Sequence, residues 1–287
     1  MLDNQHRRLT ERLRRLHLPG WIGGGILDWY EMAMRRWAPV QDSETYFGAR
    51  LLCHPGDSIQ AKILLFGAWE PGVSRVIEDI LGEGDVFVDI GANVGYDSLL
   101  AANTGARVVA VEASPRTHRM LKGSLYFNPE LAHRVRAVNV AVSDRPGQVD
   151  LYEFAGNIGG TTTLASRHGT RGATVGAARL GDILTADERS QVRLIKMDVE
   201  GLEPTILNDI LDHLDDYPPG MDIIFEANPQ DDPQQFQRVF SRLRDAGFTA
   251  WAIENRYSNA WYLRWREAPL QRLDGPPRKM TDVLLTR

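Results

Sequence analysis

The chain has 287 residues, of which 43% are hydrophobic and 25% are charged, and its formal net charge is −5. This composition is that of a globular protein, and the negative charge gives no general reason to expect nucleic acid as a partner. The single cysteine, Cys53, excludes an intramolecular disulfide and a zinc site built from cysteines. No stretch is apolar over the length of a membrane span. The single cysteine fits a reducing compartment, and the N-terminus lacks the apolar core of a signal peptide, so a soluble, cytoplasmic protein without a membrane span is expected.

Residues 1–80 are expected to form an N-terminal cap and docking segment of short helices and a hairpin. A basic helix is predicted near its start, with Leu9, Leu13 and Leu16 on one stripe. A docking arm or a solvated helix explains this segment better than a membrane anchor does. The hairpin is predicted around residues 44–57.

Residues 81–287 are expected to form one domain in which strands alternate with helices. Five short runs rich in β-branched residues indicate the strands: 86–90, 107–112, 135–142, 192–198 and 222–227. This alternation predicts an α/β fold with a doubly wound, mostly parallel sheet. Residues 281–287 are predicted as a further strand, for which an antiparallel position at the sheet edge is one option.

Two segments interrupt this alternation. Residues 155–178 are rich in Gly, Thr and Ala, and we expect them to form a long loop that is either functional or disordered. Residues 251–278 carry aromatic side chains among several arginines: Trp251, Tyr257, Trp261, Tyr262 and Trp265. These rings could stack on an acceptor molecule or pack within a hairpin insertion, and the sequence favours neither.

The end of the first predicted strand carries a candidate binding motif, "VDIGANVGYDS" (88–98). Gly91 and Gly95 allow the backbone to turn sharply and to approach a ligand closely. A dinucleotide fingerprint that begins at Gly91 would need glycine at the two positions that Asn93 and Tyr96 occupy. A phosphate-binding P-loop is excluded as well, because no Gly-Lys-Ser/Thr follows.

Glu112 ends the second predicted strand, 21 positions after Gly91. A carboxylate at this spacing suits hydrogen bonds from both ribose hydroxyls of an adenosine. An adenosine ligand without a pyrophosphate is therefore expected. S-adenosylmethionine fits, because its cationic amino and sulfonium groups suit a pocket that contains Asp89. The alternative is an ordinary turn between a strand and a capped helix.

Several stretches, taken in order, resemble the FkbM-type methyltransferases, which use S-adenosylmethionine. "GDVFVDIGANVGYDSLLAA" is similar to the first motif of that family, "VVAVEASP" to the second and "VNVAVSDRPGQVDLY" to the region after it. "LIKMDVEGLE" resembles the most diagnostic motif, and "GAWEP" resembles the Gly-x-Tyr-Glu-Pro that precedes the core. The resemblance covers roughly residues 45–230. Departures at Trp69, Ala113, Ser114 and Gly181 leave the cofactor expectation intact and the acceptor open.

The resemblance implies a class I methyltransferase fold with a Rossmann-like sheet. It also implies O-methyl transfer to a hydroxyl of a small molecule, a glycoside or a natural-product intermediate. Together with the spacing above, the motifs assign cofactor binding to a set of ten residues: Glu70, Asp89, Gly91, Asn93, Gly95, Ser98, Glu112, Ala113, Ser143 and Asp144.

Three acids follow the fourth predicted strand in "KMDVEGLE" (196–203). Asp198 is predicted to be the general base or the group that orients the acceptor, because a hydroxyl must lose its proton as the new bond forms. Glu200 could share this role, whereas Glu203 is expected to start a helix beside Pro204. Alternatively, all three acids serve only the positive end of that helix.

A metal site and two other functions are the remaining options. Asp198 with Glu226 and Asn228, which end the next strand, could hold Mg²⁺, but nothing in the spacing demands it. A methyltransferase that acts on nucleic acid is disfavoured by the net negative charge and by the position of Asn228-Pro229, which follows the fifth strand and not the fourth. A non-catalytic module that kept the cofactor fold would tolerate replacement of Asp198 and Glu200.

Overall fold

The computed structural model describes residues 5–16, 18–154, 157–162, 170–199, 201–230 and 232–287. Glu200, one of the two predicted catalytic residues, lies outside this part of the chain. The described strands are β1 (Gln41–Glu44), β2 (Arg50–Cys53), β3 (Val86–Ile90), β4 (Arg107–Val111), β5 (Val135–Val138), β6 (Ala141–Val142), β7 (Gly147–Phe154), β8 (Asn157–Thr162), β9 (Thr170–Ala178), β10 (Val192–Met197), β11 (Asp222–Ala227), β12 (Thr249–Ile253), β13 (Gln271–Leu273) and β14 (Thr281–Thr286). The described α-helices are α1 (Gln5–Arg15), α2 (Gly20–Trp37), α3 (Ser58–Phe66), α4 (Pro71–Ile80), α5 (Tyr96–Asn103), α6 (Pro115–Tyr126), α7 (Pro129–Ala132), α8 (Leu180–Ile183), α9 (Ala186–Ser190), α10 (Glu203–Asp212), α11 (Pro233–Asp245) and α12 (Asn259–Arg264).

The N-terminal region contains the short helices and the hairpin that the sequence predicts. In α1, Leu13 is buried, whereas Leu16 lies just beyond the end of the helix and is 63% exposed. The strands β1 and β2 pair antiparallel, so the predicted hairpin is confirmed a few residues nearer to the N-terminus than expected. The carboxylate of Asp57 accepts two backbone N–H bonds in the first turn of α3 and so begins that helix.

The central sheet has the strand order β13-β12-β14-β11-β10-β3-β4-β5. The strands β5, β4, β3, β10 and β11 are parallel, whereas β14 runs antiparallel between β11 and β12. The predicted α/β fold with a doubly wound, mostly parallel sheet is therefore confirmed. The antiparallel direction of the last strand is also confirmed, but the edge position is wrong. Residues 282–285 are buried on both faces of the sheet, which suits an interior strand.

A second, smaller sheet forms where the sequence predicts a long loop. Its strand order is β6-β9-β7-β8, so much of the Gly/Thr-rich segment is paired with β7. Val175 and Ala177 of β9 pack on Leu151 of β7, and these side chains give the small sheet its core. The expectation of a long loop is wrong for β8 and β9. Residues 155–156 and 163–169 of the segment lie outside the described part of the chain.

The two faces of the central sheet are covered by different parts of the chain. Successive residues of β3 point to opposite faces of the sheet. Phe87 packs with the N-terminal helices on one face, whereas Val88 packs with α10 and α11 on the other. The core on the first face includes Leu27 of α2 and Ile63 of α3. Buried residues from both sides of the predicted domain boundary at residues 80 and 81 share this core. The boundary therefore stays a prediction.

Candidate active site

A cleft opens at the carboxyl ends of β3, β4 and β10, where ligands bind in open parallel sheets. Five of the predicted site residues line it: Gly91, Asn93, Glu112, Ala113 and Asp198. Its walls are mainly apolar and include Ile90, Val111, Val142, Leu151, Val199 and Leu202. An apolar slot with a few polar groups at its rim is typical of sites for small molecules and cofactors. We call it the cofactor cleft.

The turn after β3 needs its glycines for packing. Gly91 has a left-handed backbone (φ 84°), and a Cβ there would lie 2.1 Å from the carbonyl oxygen of Asp198. Gly95 also has a positive φ (90°), and a Cβ there would lie 2.5 Å from Leu121. The end of β10 therefore approaches Gly91 closely, and the expected approach of a ligand at this glycine, which lines the cleft, stays a prediction. Asn93 adopts the left-handed region as well, with φ 49°.

Glu112 is held by the backbone of both turns that form the cleft. Its Oε2 accepts a hydrogen bond from the N–H of Asn93 at 2.9 Å, and its Oε1 accepts one from the N–H of Ser114 at 2.8 Å. Burial raises the pKa of Glu112 to about 7, although these two bonds lower it. Each carboxylate oxygen can accept a second hydrogen bond, so Glu112 can still bind hydroxyl groups in the cleft.

Asp89 and Ser98 form a buried pair behind the cleft. The Ser98 hydroxyl donates to Oδ2 of Asp89 at 2.5 Å, and Oδ1 of Asp89 has no hydrogen-bond partner among the described residues. Burial raises the pKa of Asp89 to about 7. Neither side chain lines the cofactor cleft, and their role in binding the cofactor stays a prediction.

Lys196 is a site residue that the sequence reasoning missed. It is 4% exposed, and its Nζ lies 3.1 Å from Oδ2 of Asp97 and 3.8 Å from Oδ2 of Asp198. Burial lowers the pKa of Lys196, but the surrounding carboxylates, Asp97 first, outweigh this effect and raise it well above its usual value. One buried cation thus allows several acids to share a small volume. The sequence feature that could have revealed it is a lysine within the predicted strand 192–197, because a lysine in a buried strand needs a charged partner.

Asp198 and Glu203 differ in exposure and in partners. Asp198 lines the cofactor cleft with 29% of its side chain exposed, and its N–H donates to the carbonyl of Ile90. Glu203 is 2% exposed, and it accepts hydrogen bonds from the N–H groups of Val199 (3.1 Å) and Gly201 (2.9 Å). Burial raises the pKa of Glu203 to about 7. Glu203 begins α10 as expected, and it also fixes the turn that follows Asp198.

Glu70 begins α4 in a strained conformation. Its backbone is left-handed (φ 41°), which is costly for a residue other than glycine, and its side chain is buried. The Tyr257 hydroxyl lies 3.0 Å from Oε1 of Glu70 and 3.2 Å from Oε1 of Glu226, and Trp69 stacks on the Tyr257 ring. Burial, followed by the charge of Asp282, raises the pKa of Glu70 well above its usual range.

A second cleft lies at the same edge of the sheet, beyond β11 and β14. Glu226, Tyr257 and Asp282 line it, and so do the exposed residues Arg278 and Lys279. Burial raises the pKa of Asp282 to about 6. Because β10, β11 and β14 are neighbours, the second cleft is beside the cofactor cleft.

Residues 89–250 match the family model described as "Methyltransferase FkbM domain". The chain belongs to this family. It is therefore an S-adenosylmethionine-dependent methyltransferase, as its motifs indicated, and its cofactor cleft lies within the matched residues except for Ile59.

Three solved structures similar to this FkbM-family chain are named as methyltransferases, and their sequence identity to it is low. The methyltransferase FkbM from Methylobacillus flagellatus KT is 14% identical with a TM-score of 0.44, over 79% of this chain and 52% of that one. An O-methyltransferase from Bacillus cereus in complex with SAH is 14% identical with a TM-score of 0.43, over 75% of this chain and 79% of that one. Precorrin-6y C5,15-methyltransferase from Geobacter metallireducens GS-15 is 13% identical with a TM-score of 0.40, over 75% and 88%. No curated protein is similar enough to count as a match.

Of the ten residues assigned to the cofactor, six do not line the cleft: Glu70, Asp89, Gly95, Ser98, Ser143 and Asp144. The N–H of Ser143 donates to the carbonyl of Ala178 at 2.9 Å, and its hydroxyl donates to Asp144 at 3.2 Å. Neither Ser143 nor Asp144 lines the cofactor cleft, although Val142 just before them does. Their role in binding the cofactor stays a prediction.

The magnesium alternative, with Asp198, Glu226 and Asn228 as ligands, stays a prediction. In the described part of the chain, no three His, Cys, Asp or Glu side chains are grouped so that they could hold a metal ion. Among the ion pairs of the described residues, the partner of Asp198 is the ammonium group of Lys196.

None of the described helices is long and apolar enough to cross a membrane.

Proposed function

We propose that this methyltransferase transfers its methyl group to a hydroxyl oxygen of a small molecule, a glycoside or a natural-product intermediate. The observation that carries this proposal is the position of Asp198. Its carboxylate is partly exposed in the cofactor cleft at the end of β10. The next strand is β11, which borders the second cleft, and we assign that cleft to the acceptor and call it the acceptor cleft. A carboxylate at this position can accept the proton that a hydroxyl loses when it is methylated.

The residues of the cofactor cleft fit an adenosine ligand that carries positive charge. Glu112 has acceptor capacity left for ribose hydroxyls, and the buried Oδ1 of Asn93 has no partner among the described residues. The apolar walls suit a purine ring, and the nearby acids suit cationic groups. S-adenosylmethionine, when bound, supplies an electrophilic methyl group on a cationic sulfur.

Positioning of the acceptor and removal of its proton are carried out by side chains of the protein. Asp198 orients the acceptor hydroxyl and takes its proton, and its exposed side passes that proton to solvent. Lys196 holds one side of the Asp198 carboxylate by charge, and Glu203 holds the turn after it through two backbone N–H bonds. These contacts keep the base in one position, which a displacement reaction with strict alignment requires.

The acceptor cleft supports a polar, hydroxylated substrate. It has a volume of about 500 Å³, within the usual range for small-molecule sites. Tyr257 and Glu226 provide a hydroxyl and a carboxylate in its lining, and Arg278 and Lys279 provide donors. Hydrogen-bonding groups of both kinds suit a sugar or a polyketide with several hydroxyls.

The cofactor part of the proposal is tested by calorimetric binding of S-adenosylhomocysteine. Glu112→Gln removes the charge while it preserves the shape, so we expect binding to weaken by about 1.5–3 kcal/mol. Glu130→Gln, on the exposed helix α7, is the matched control and should bind as the wild type does. Equal affinity in the two variants would contradict the assignment of Glu112.

The reaction class is tested with labelled S-adenosylmethionine and a panel of hydroxylated glycosides and polyketides. We expect the label in an ether, which survives alkali, whereas a methyl ester would be hydrolysed. Transfer RNA and free amines belong in the same panel. Label found only on RNA or on nitrogen would overturn O-methylation and leave the methyltransferase assignment intact.

A further inference from the structure

One face of α2 is exposed and carries large aromatic and apolar side chains. Trp21, Trp29 and Met32 are 76%, 72% and 61% exposed. They are spaced by eight and three residues, which places them on one stripe of a helix, and Arg36 continues that stripe by one more turn. Trp37, at the end of the helix, is 77% exposed, and the Arg36 guanidinium lies over its ring.

The opposite face of α2 is buried against the rest of the protein. A Cβ at Gly23 or Gly24 would lie 2.7 Å from side chains of α12, so the two helices are in close contact. Leu27 and Met34 are buried on this face, and Glu31 forms an ion pair with the buried Lys62. The helix is therefore anchored, and its tryptophan stripe is held facing outward.

The charge around this stripe differs in sign from the charge of the remaining chain. Residues 1–37 contain seven arginines and four acids, a net charge of +3, whereas the whole chain has −5 and residues 38–287 therefore −8. Arginines stand at both ends of the stripe, with Arg12 and Arg15 exposed at the end of α1 and Arg35 and Arg36 exposed at the end of α2. Such separation of charge orients a protein in an electric field.

We propose that this tryptophan stripe, made of Trp21, Trp29, Met32 and Arg36, docks on the surface of an anionic phospholipid bilayer. Tryptophan is enriched at the boundary between lipid and water, where its ring is buried and its N–H stays hydrated. A helix with apolar rings on one line and arginines beside them lies in that boundary without spanning it. The acidic remainder of the chain is repelled by the same surface, so the protein would dock with α2 facing the bilayer.

A second copy of the chain is a less suitable occupant. A twofold contact through this face would bring the stripe against itself, and because arginines stand at both ends of the stripe, it would bring arginines of the two copies close together. Like charges in a partly buried interface destabilise it, whereas anionic lipid headgroups neutralise the same arginines. Charge complementarity thus favours the bilayer.

The test is sedimentation of the full-length chain with large vesicles, either of phosphatidylcholine alone or of equal parts of phosphatidylcholine and phosphatidylglycerol. We expect binding to the anionic vesicles that falls as salt is added. The double variant Trp21→Ala/Trp29→Ala should lower the partition constant at least about tenfold, because two large apolar rings no longer enter the boundary. Arg36→Gln should lower it about fivefold.

Tyr126→Ala is the matched control, because Tyr126 is an equally exposed ring (82%) on α6. It should bind vesicles as the wild type does, and all variants should keep the wild-type unfolding midpoint because none of these side chains is buried. Any one of three results would overturn the proposal. The first is no binding to either kind of vesicle, and the second is equal binding to both kinds. The third is a wild-type dimer in ultracentrifugation that Trp21→Ala/Trp29→Ala converts to a monomer.

Discussion

At the scale of single residues, the site depends on backbone positions that only certain residues can occupy. Gly91 and Gly84 both have a left-handed backbone, with φ of 84° and 91°. Their surroundings differ, because a Cβ at Gly84 would meet nothing within 4 Å, whereas one at Gly91 would collide with the carbonyl oxygen of Asp198. The two glycines therefore separate the cost of backbone conformation from the cost of packing.

We predict that Gly91→Ala destabilises the protein much more than Gly84→Ala does. Gly84→Ala should cost about 1–2 kcal/mol in the free energy of unfolding, because only the left-handed conformation is penalised. Gly91→Ala should cost about 4 kcal/mol or more, because the end of β10 must also move. Urea unfolding measures both. Similar values for the two variants would show that the turn and β10 separate without cost.

Asp198→Asn tests the proposed base directly. The amide keeps the shape of the side chain but cannot take a proton, so we expect turnover to fall by about 10²–10⁴-fold. The affinity for S-adenosylhomocysteine should change little. Asp245→Asn, at the exposed end of α11, is the control and should keep full turnover. Full activity in Asp198→Asn would reduce Asp198 to a residue that serves the turn before α10.

At the scale of elements, a buried polar cluster joins three helices that are far apart in the chain. Nζ of Lys62 on α3 lies 2.6 Å from Oε2 of Glu31 on α2 and 2.7 Å from Oδ1 of Asn259 on α12. The Asn259 amide also donates to Glu31 at 2.8 Å and to Asp28 at 2.8 Å. The cluster fixes how α2, and with it the tryptophan stripe, is attached to the remaining structure.

Lys62→Met should therefore destabilise the chain by about 3–5 kcal/mol, because Glu31 would keep a buried charge without its cation. The double variant Lys62→Met/Glu31→Gln should recover a large part of this loss, since no unpaired charge remains. Thermal and urea unfolding of Lys62→Met, Glu31→Gln and the double variant, together with the wild type, complete the double-mutant cycle. Simple additivity would mean that the ion pair contributes nothing specific to the packing of α2.

At the scale of the whole molecule, the protein keeps several acids in conditions that favour their neutral form. Burial raises the pKa of Asp89, Glu112 and Glu203 to about 7 and that of Asp282 to about 6. In the unfolded chain these groups titrate near their ordinary values, so the folded state binds protons more tightly between the two pKa values. The stability they contribute is complete below the unfolded pKa and is lost as the pH rises through the folded pKa.

We predict that the free energy of unfolding decreases between about pH 5 and about pH 8, in contrast to a protein with acids held in ion pairs. For Glu203 alone, a rise from 4.5 to about 7 corresponds to about 3 kcal/mol over this window. Glu203→Gln does not titrate, so its pH profile should be flatter than that of the wild type. Urea unfolding across the window measures both profiles, and parallel profiles would contradict the raised pKa of Glu203.

The sequence by itself determined the features that depend on neighbouring residues along the chain. The run 86–90 is a strand at those bounds, and the motif residues Gly91, Asn93 and Glu112 all line one cleft. Alternating strands and helices were sufficient for the fold class, because hydrophobic period and turn residues are local properties. The family followed from motifs in order, and the match over residues 89–250 confirmed it.

The tertiary structure alone decided which distant residues meet. The Tyr257 hydroxyl reaches Glu70 across 187 residues of sequence, and Lys196 becomes the cation of an acid cluster only when β10 lies between β3 and β11. The Gly/Thr-rich segment forms β8 and β9 because β7 offers them backbone partners, which composition does not show. Contacts of this kind depend on where the whole chain places each element, and local patterns carry no information about that placement.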